Sequence, residues 1–328
     1  MYTSRPVEFH VICDHGAQAY LEKRLQLLTH PVHDILVRFY LLSAEGMAGR
    51  IMREGSIGTD HSAGYPGLMK LFIHELLPEV EKSIFVDTDA FFMADPALLY
   101  DEFAHMNGTI AISMPSHPEQ GAAHWHYASN ICSCIMLLDL AKLRALPLMD
   151  SSLYRDAPSA DRPVAAAPPT FEALYGAPGA DGRYRDVALG DQGYWWAIVS
   201  NRTDLYRPLP HDWEVTSCLL DMYGTGLGND AATEEDERPA MHNTDNVILP
   251  KLAHFNCLHD IYFEWDGWFD ADNSLTQRWG SALDYHAGFK WIWLNRGSAA
   301  LRIETVADPV FTDQRYAAEK AERTPYHR

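Results

Sequence analysis

The chain has 328 residues, 47 % of them hydrophobic, enough for one large domain or two small ones with a buried core, and this excludes disorder as its main state. Asp and Glu number 45 against 26 Lys and Arg, a formal net charge of −19 with no basic run, which disfavours nucleic acid or an anionic membrane as partner. The longest apolar stretches, such as IMLLDLAKL from Ile135, fall well short of the roughly 20 residues that a membrane-spanning helix needs, so no membrane span is expected.

The first residues, MYTSRPVEFHVICDHGAQ, lack the apolar core and small-residue cleavage site of a signal peptide, which predicts a cytosolic setting, or a Golgi or secretory lumen if a targeting segment is missing. VEFHVIC (Val7 to Cys13) reads as a buried strand, Gln18 to His30 as a helix and DILVRFYLL (Asp34 to Leu42) as a second strand, a β-α-β start. A helix from Gly67 to Leu77 and the strand SIFV (Ser83 to Val86) follow, the strand having the look of a parallel strand buried on both faces and ending at Asp87. TIAIS (Thr109 to Ser113), NICSCIMLL (Asn130 to Leu138) and KLAHF (Lys251 to Phe255) are further strands, and Asp191 to Val199 is a helix. Together they predict one α/β domain over about residues 1–310 with a mostly parallel central sheet and functional residues at strand ends.

Two stretches interrupt the pattern. Residues 156–182 are rich in Ala, Pro and Gly and residues 225–244 carry the run TEEDE; both read as solvated insertions or loops, and residues 311–328 as a polar, helical, peripheral tail. Five scattered cysteines (Cys13, Cys132, Cys134, Cys218 and Cys257) without a C-x-x-C predict buried thiols rather than a disulfide scaffold or a cysteine zinc site.

The segment VDTDAFFMAD places Asp87 and Asp89 around Thr88 directly after an apolar strand. Two carboxylates at that spacing can share a hard divalent cation, although in ordinary turns they merely cap backbone N–H groups. His254, at the end of LAHFN, could add an imidazole to the same ion or be a hydrogen-bonded core histidine. Lys70, within GYPGLMKL, is either part of a site or solvated. In LGDQGYWWAIV, Asp191 and Gln192 precede an aromatic helix, where Asp191 could be an N-cap and Trp195 and Trp196 core.

Taken in order, YPGLMKL, IFVDTDAFFMADPALLYDEF, NICSCIMLLDL, LGDQGYWWAI, LPHDWEV and LAHFN resemble glycosyltransferase family 8, its LARGE-like xylosyltransferase branch above all, from Val7 to about Asp260. The resemblance implies a GT-A fold, a Rossmann-like nucleotide-sugar-binding α/β domain, with a UDP-sugar donor, a Mn²⁺ ion that Mg²⁺ could replace, and a glycan or small hydroxyl compound as acceptor. By the same resemblance, Asp87 and Asp89 are the D-x-D metal ligands, His254 is the third, and Thr88 sits between them at the donor. Lys70 corresponds to the basic residue contacting the donor, Asp14 to the position that holds the nucleotide base, Asn130 to the asparagine near the sugar, and Asp191 with Gln192 to the pair facing the reacting sugar.

The chain departs from the family pattern at several points. HFNCLHD has Cys257 and Asp260 where a glycine and a phosphate-binding lysine are usual, leaving His259, if protonated, as a partial substitute. Ser129 precedes Asn130, Cys132 stands where glycine is common, and Gly193 replaces the second carboxylate of D-Q-D. The resemblance implies retention of anomeric configuration. A catalytically impaired sugar-nucleotide- or glycan-binding protein on the same scaffold is the alternative. The aromatic run IYFEWDGWF, with Tyr262, Phe263, Trp265, Trp268 and Phe269, reads as a glycan platform or as a packed closing hairpin or helix.

Overall fold

The computed structural model describes residues 3–54, 56–116, 127–151, 164–216, 250–255, 263–264, 267–268 and 294–306. The predicted β-α-β start is present as β1 (Val7–Cys13), a helix (His15–Leu25) and β2 (Ile35–Leu41), with β1 and β2 parallel from Val7↔Ile35 onward. The helix begins earlier than its apolar pattern suggests, because Asp14 accepts a hydrogen bond from Ala17 N at 2.8 Å and caps it. β1 is less buried than expected. Among the described residues it is a sheet edge, and Phe9 is half exposed.

Chain order continues through a helix (Ala44–Arg53), a broken helical segment (Gly64–Leu68, a 3₁₀ turn Met69–Phe72 and Ile73–Leu76), β3 (Lys82–Val86), β4 (Ala90–Phe92), a short helix (Pro96–Asp101), β5 (Ile112–Pro115) and β6 (Ile135–Asp139). Then come helices Leu140–Ala145, Pro168–Tyr175 and Asp191–Asn201, followed by β7 (Tyr206–Leu209), β8 (Val215–Thr216), β9 (Leu252–His254), the two-stranded ribbon β10 (Phe263–Glu264) and β11 (Gly267–Trp268), and β12 (Leu301–Val306). β12 was not foreseen; it runs parallel to β2 from Ile35↔Leu301 and ties the far part of the chain to its beginning.

The larger sheets have strand orders β1-β2-β12, β3-β6-β5-β7 and β4-β9-β8. Parallel pairing at β1–β2, β2–β12, β5–β7 and β8–β9 runs through all three, and β6 lies antiparallel between β3 and β5. SIFV is therefore antiparallel to its neighbour. A strand covered on both faces is apolar throughout whichever way its partner runs, so composition could not give its direction.

Alternation along β6 divides the core. Met136 and Leu138 join a large cluster with Leu68, Leu71, Phe72, Trp195 and Ile198, while Ile135 and Leu137 join Leu99, Phe103, Leu209, Trp213 and Leu252 on the other face. Within the larger cluster Arg50 and Glu75 form a buried ion pair, with the guanidinium 4.4 Å over the Phe72 ring and Ser151 Oγ donating to Glu75 at 3.0 Å. The helical segments that carry Lys70 and Asp191 thus sit on one face of the four-stranded sheet, and the small β4-β9-β8 sheet together with the Pro96–Asp101 helix on the other. Among the described residues no helix is long and apolar enough to cross a membrane.

One expected insertion is partly core. Residues 225–244 and 311–328 lie outside the described residues, as do 156–163, but Pro168–Tyr175 is a helix packed on Asp191–Asn201. Phe171 is fully buried, edge-on to Tyr194 at 5.0 Å, and Tyr175 Oη donates to the Gly193 carbonyl at 2.7 Å. Alanine and proline composition obscured the Phe171 and Tyr175 contacts that order this segment. Phe171→Ala should lower unfolding stability by about 3–5 kcal/mol in urea denaturation, whereas a solvated loop residue would cost under about 0.5 kcal/mol.

Candidate functional site

The site forms where four elements end beside one another. β3 delivers Asp87, whose N–H donates to the Cys134 carbonyl at 2.7 Å and so carries the β3–β6 ladder one residue beyond the strand. After the turn at Thr88, β4 pairs antiparallel with β9 in the register Ala90↔His254, and Phe255 N donates to the Asp89 carbonyl at 2.9 Å. That pairing puts the imidazole of His254 beside the Asp89 carboxylate, with Nε2 and Oδ1 3.4 Å apart. Asp87, Asp89 and His254 offer ligand atoms that all lie within 4.8 Å of one another, so the three predicted metal ligands do converge. Two carboxylates and one imidazole suit a borderline-hard divalent cation such as Mn²⁺ or Mg²⁺ and leave coordination positions for oxygen ligands.

Lys70 is not solvated. Its ammonium lies 2.9 Å from Asp87 Oδ1 and 3.3 Å from Asp191 Oδ2, donates to the Ser133 carbonyl at 3.3 Å, and sits 4.8 Å over the Phe85 ring. Burial disfavours its charged form, but the attraction of Asp191 and Asp87 outweighs burial and raises its pKa. Burial raises the pKa of both Asp87 and Asp191 against the pull of Lys70. Asp89 is exposed and goes the other way: the burial its carboxylate does experience is outweighed by His254, and its pKa falls.

Asp191 does not cap its helix. Gly190, at φ +60°, holds the N-cap position, and the Asp191 side chain instead turns inward to accept from Ser133 Oγ at 2.8 Å. Gly67 makes this approach feasible, since a Cβ there would lie 3.0 Å from Asp191 Oδ1 and 2.9 Å from the Ala63 Cβ. Gly193, the departure from D-Q-D, has a packing reason as well: a Cβ would lie 2.4 Å from both the Ala188 carbonyl oxygen and Val187 Cγ1. The fold has no room for a carboxylate there. Trp195 is core, as expected, and Trp196 is partly buried against it.

Gln192 Nε2 donates to the Ala128 carbonyl at 2.9 Å, fastening the helix to the 3₁₀ turn Tyr127–Asn130. Asn130 ends that turn, and its Oδ1 is buried without a hydrogen-bond partner among the described residues. Asp14 is exposed and engaged in capping, with no described contact to the Lys70 cluster; Thr88 is exposed between the two carboxylates. His259, Cys257 and Asp260 lie outside the described residues, as do Tyr262, Trp265 and Phe269.

Two features escaped sequence reasoning. Glu214, buried just before β8, holds His254 Nδ1 at 3.1 Å. It lies in LPHDWEV, but only the β8–β9 pairing reveals its partner. Hydrogen bonding to Asp89 and Glu214, together with their charges, overcomes the opposing effect of burial and raises the His254 pKa to about 9. Second, Cys132 and Cys134 are joined as a disulfide across one residue, which corrects the expectation of buried thiols. A two-residue separation falls outside the C-x-x-C pattern, and the bend between the Tyr127–Asn130 turn and β6 is what places their Cα atoms 5.2 Å apart.

No family model matches the chain. Human xylosyl- and glucuronyltransferase LARGE2 is 32 % identical over 285 residues, covering 81 % of this chain and 34 % of the relative, so the chain spans about a third of that protein. Among solved structures, mouse xyloside xylosyltransferase 1 in its apo form aligns over 76 % of this chain and 98 % of its own at 16 % identity, TM-score 0.45. The glycosyltransferase GlyE of Streptococcus pneumoniae aligns over 88 % of this chain and 63 % of its own at 13 % identity, TM-score 0.42. Fold and site define the class as an α/β protein with a carboxylate, histidine and lysine cluster at its strand ends. More particularly, the chain is a family-8-like homologue of the LARGE-type glycosyltransferases.

Removing the cation while keeping its volume isolates the role of Lys70. Lys70→Met leaves Asp87 and the buried Asp191 facing each other uncompensated, and it should reduce stability by about 3–5 kcal/mol in chemical denaturation. A stability within 0.5 kcal/mol of the parent, on the order expected for a solvated lysine, would show the ion pairs to be idle.

Proposed function

We propose that the chain is a retaining glycosyltransferase that moves a sugar from a UDP-sugar to a hydroxyl of a glycan or small acceptor, with Mn²⁺ held by Asp87, Asp89 and His254. The observation that carries this reading is the convergence of the D-x-D carboxylates, His254 and, through Lys70, Asp191 on one strand-end cluster. When bound there, Mn²⁺ would act as a Lewis acid toward diphosphate oxygens.

The chain's own groups have separable tasks. Lys70, charged and shared between two carboxylates, can offer its ammonium to a phosphate oxygen as negative charge develops on the leaving group. Asn130 Oδ1 is an acceptor for a sugar hydroxyl, and Gln192 fixes the turn that presents it. Asp191 is held by Ser133 and Lys70 and is buried. A carboxylate so engaged is a poor nucleophile and a good positioning group, which supports front-face substitution in which the departing phosphate helps deprotonate the acceptor hydroxyl.

Donor choice is read from resemblance: UDP-xylose first, then UDP-glucose and UDP-galactose, with UDP-glucuronic acid added by the name of the LARGE2 relative. The test is UDP release from this panel with Mn²⁺, with and without acceptor glycans. Transfer should appear with at least one donor; donor binding without UDP release above background would identify a sugar-nucleotide-binding protein instead.

Asp89 is the cleaner carboxylate to replace, because it is exposed and has no described contact with Lys70, whereas Asp87 is in direct ion-pair contact with it. Asp89→Asn should abolish Mn²⁺-dependent turnover while leaving the melting temperature nearly unchanged, and full activity in that variant would refute the metal assignment. A second expectation concerns pH. The ion-free protein keeps His254 protonated up to about pH 9, so a cation binding at Nε2 must displace that proton. Mn²⁺ affinity, measured by calorimetry, should rise about tenfold per pH unit from about pH 7 to about pH 9 and level off above; a flat profile would remove His254 from the ligand set.

A further inference from the structure

Behind the D-x-D cluster lies a second group of side chains that shares only His254 with the site of the proposed transfer reaction. Cys132, Cys134, Glu214 and His254 are all buried, and their ligand atoms lie within 4.8 Å of one another. They come from three places in the fold: the bend before β6, the residue preceding β8, and the end of β9. His254 takes part through Nδ1, the nitrogen facing away from Asp89, which stands 3.1 Å from Glu214 Oε1 and 3.7 Å from Cys132 Sγ.

We propose that, once the Cys132–Cys134 bond is reduced, these four side chains form a closed site for a soft, tetrahedral divalent ion of the zinc class. Zinc takes thiolate, imidazole and carboxylate ligands at about 2.3, 2.0 and 2.0 Å, so around one ion a sulfur and a nitrogen stand roughly 3.5 Å apart and an oxygen and a nitrogen roughly 3.3 Å. The observed 3.7 and 3.1 Å separations are already close to those values. Two sulfurs in such a shell stand about 3.7 Å apart. Breaking their bond frees each side chain to turn about its own Cα–Cβ bond and reach that separation.

The chemistry balances with a small dithiol as reductant. It delivers two electrons and two protons to the disulfide, giving two thiols and itself becoming a disulfide. Each thiol then loses its proton to the solvent as sulfur binds the ion, and His254 must give up one proton if it is charged. Two thiolates and the Glu214 carboxylate against one dication leave a net −1. Four protein ligands leave no open position, the pattern of a structural or regulatory site rather than a catalytic one.

The site has a consequence for the transferase, and that consequence alone rests on the proposed function. A neutral imidazole has one lone pair, so an ion on Nδ1 leaves the proton on Nε2 and withdraws His254 from Asp87 and Asp89. The two ions exclude each other. Reduction with zinc loading would thus silence the donor-side metal; a small disulfide oxidant, which takes two electrons from the cysteine sulfurs and two protons from the solvent and itself becomes two thiols, would restore the Cys132–Cys134 bond, expel the zinc and return His254 to the donor side.

Co²⁺ added to the metal-free full chain tests the site without relying on activity. After reduction by a dithiol and removal of the excess, one equivalent of Co²⁺ should give a near-ultraviolet sulfur-to-cobalt charge-transfer band with tetrahedral visible bands, and Zn²⁺ should erase both. The same chain with the disulfide intact should lack the band, although Co²⁺ can still occupy the oxygen-rich donor-side cluster. Cys132→Ser with Cys134→Ser, kept under reducing conditions, should lose the band and bind Co²⁺ at least about tenfold more weakly in this spectral mode. A reduced protein without the band, or a band equally strong in the oxidised form or in the double variant, would overturn the proposal. The oxidised arm needs no substitution, so it decides the matter even if the double variant does not fold. Absence of sugar transfer would leave these spectra unaffected, which separates failure of this site from failure of the functional reading.

Discussion

The arrangement of this site depends on one buried cation. Lys70 brings a full positive charge into the space between Asp87 and Asp191, two carboxylates that could not otherwise share it. Each partner belongs to a different element: Asp87 to the end of β3, Asp191 to the first turn of its helix, and the Ser133 carbonyl to the approach to β6. Desolvating three charged groups is costly, and a buried ion pair often contributes little net stability. What the cluster supplies is position. It holds the D-x-D turn and the Asp191–Gln192 turn at a fixed separation before any ligand arrives, which is the preorganisation that charge-stabilising catalysis requires.

Small residues make that convergence feasible. Gly67 lets the broken helical segment carrying Lys70 press against Asp191, and Gly193 lets the aromatic helix lie against the Val187–Ala188 loop. The same helix is braced from behind by Tyr175, which donates to the Gly193 carbonyl, and by the edge-on contact of Phe171 with Tyr194. Core packing and site geometry are consequently one problem here, since the helix whose first residue faces Lys70 is also the helix whose Trp195 fills the core.

His254 is where the two faces of the site meet. One ring nitrogen looks toward Asp89 and the solvent side, the other toward Glu214 and Cys132 in the interior. A buried carboxylate on the inner nitrogen orients the ring and increases its basicity, the usual service of an outer partner to a metal-binding histidine. The ring was readable either as a ligand or as a core histidine; in the fold it is hydrogen-bonded like a core residue and aimed like a ligand.

Local chemistry was legible in the sequence. Asp87 and Asp89 at the end of an apolar strand, His254 at the end of another, and Asp191 with Gln192 opening an aromatic helix all sit where composition and order put them, because strand ends and helix starts are marked by nearby residues. Pairing was not legible. The antiparallel partner of SIFV, the β12 strand added to β2, Glu214 behind His254 and the bond between Cys132 and Cys134 are contacts between segments distant in the chain or folded by a bend, and no local pattern encodes them. Lys70 shows the division most plainly. Its presence in YPGLMKL can be read from the sequence, but whether that ammonium is solvated or buried between two carboxylates was decided only by the packing of Gly67 against Asp191, since the same side chain is stable in water or in an ion pair and only its neighbours in space determine which.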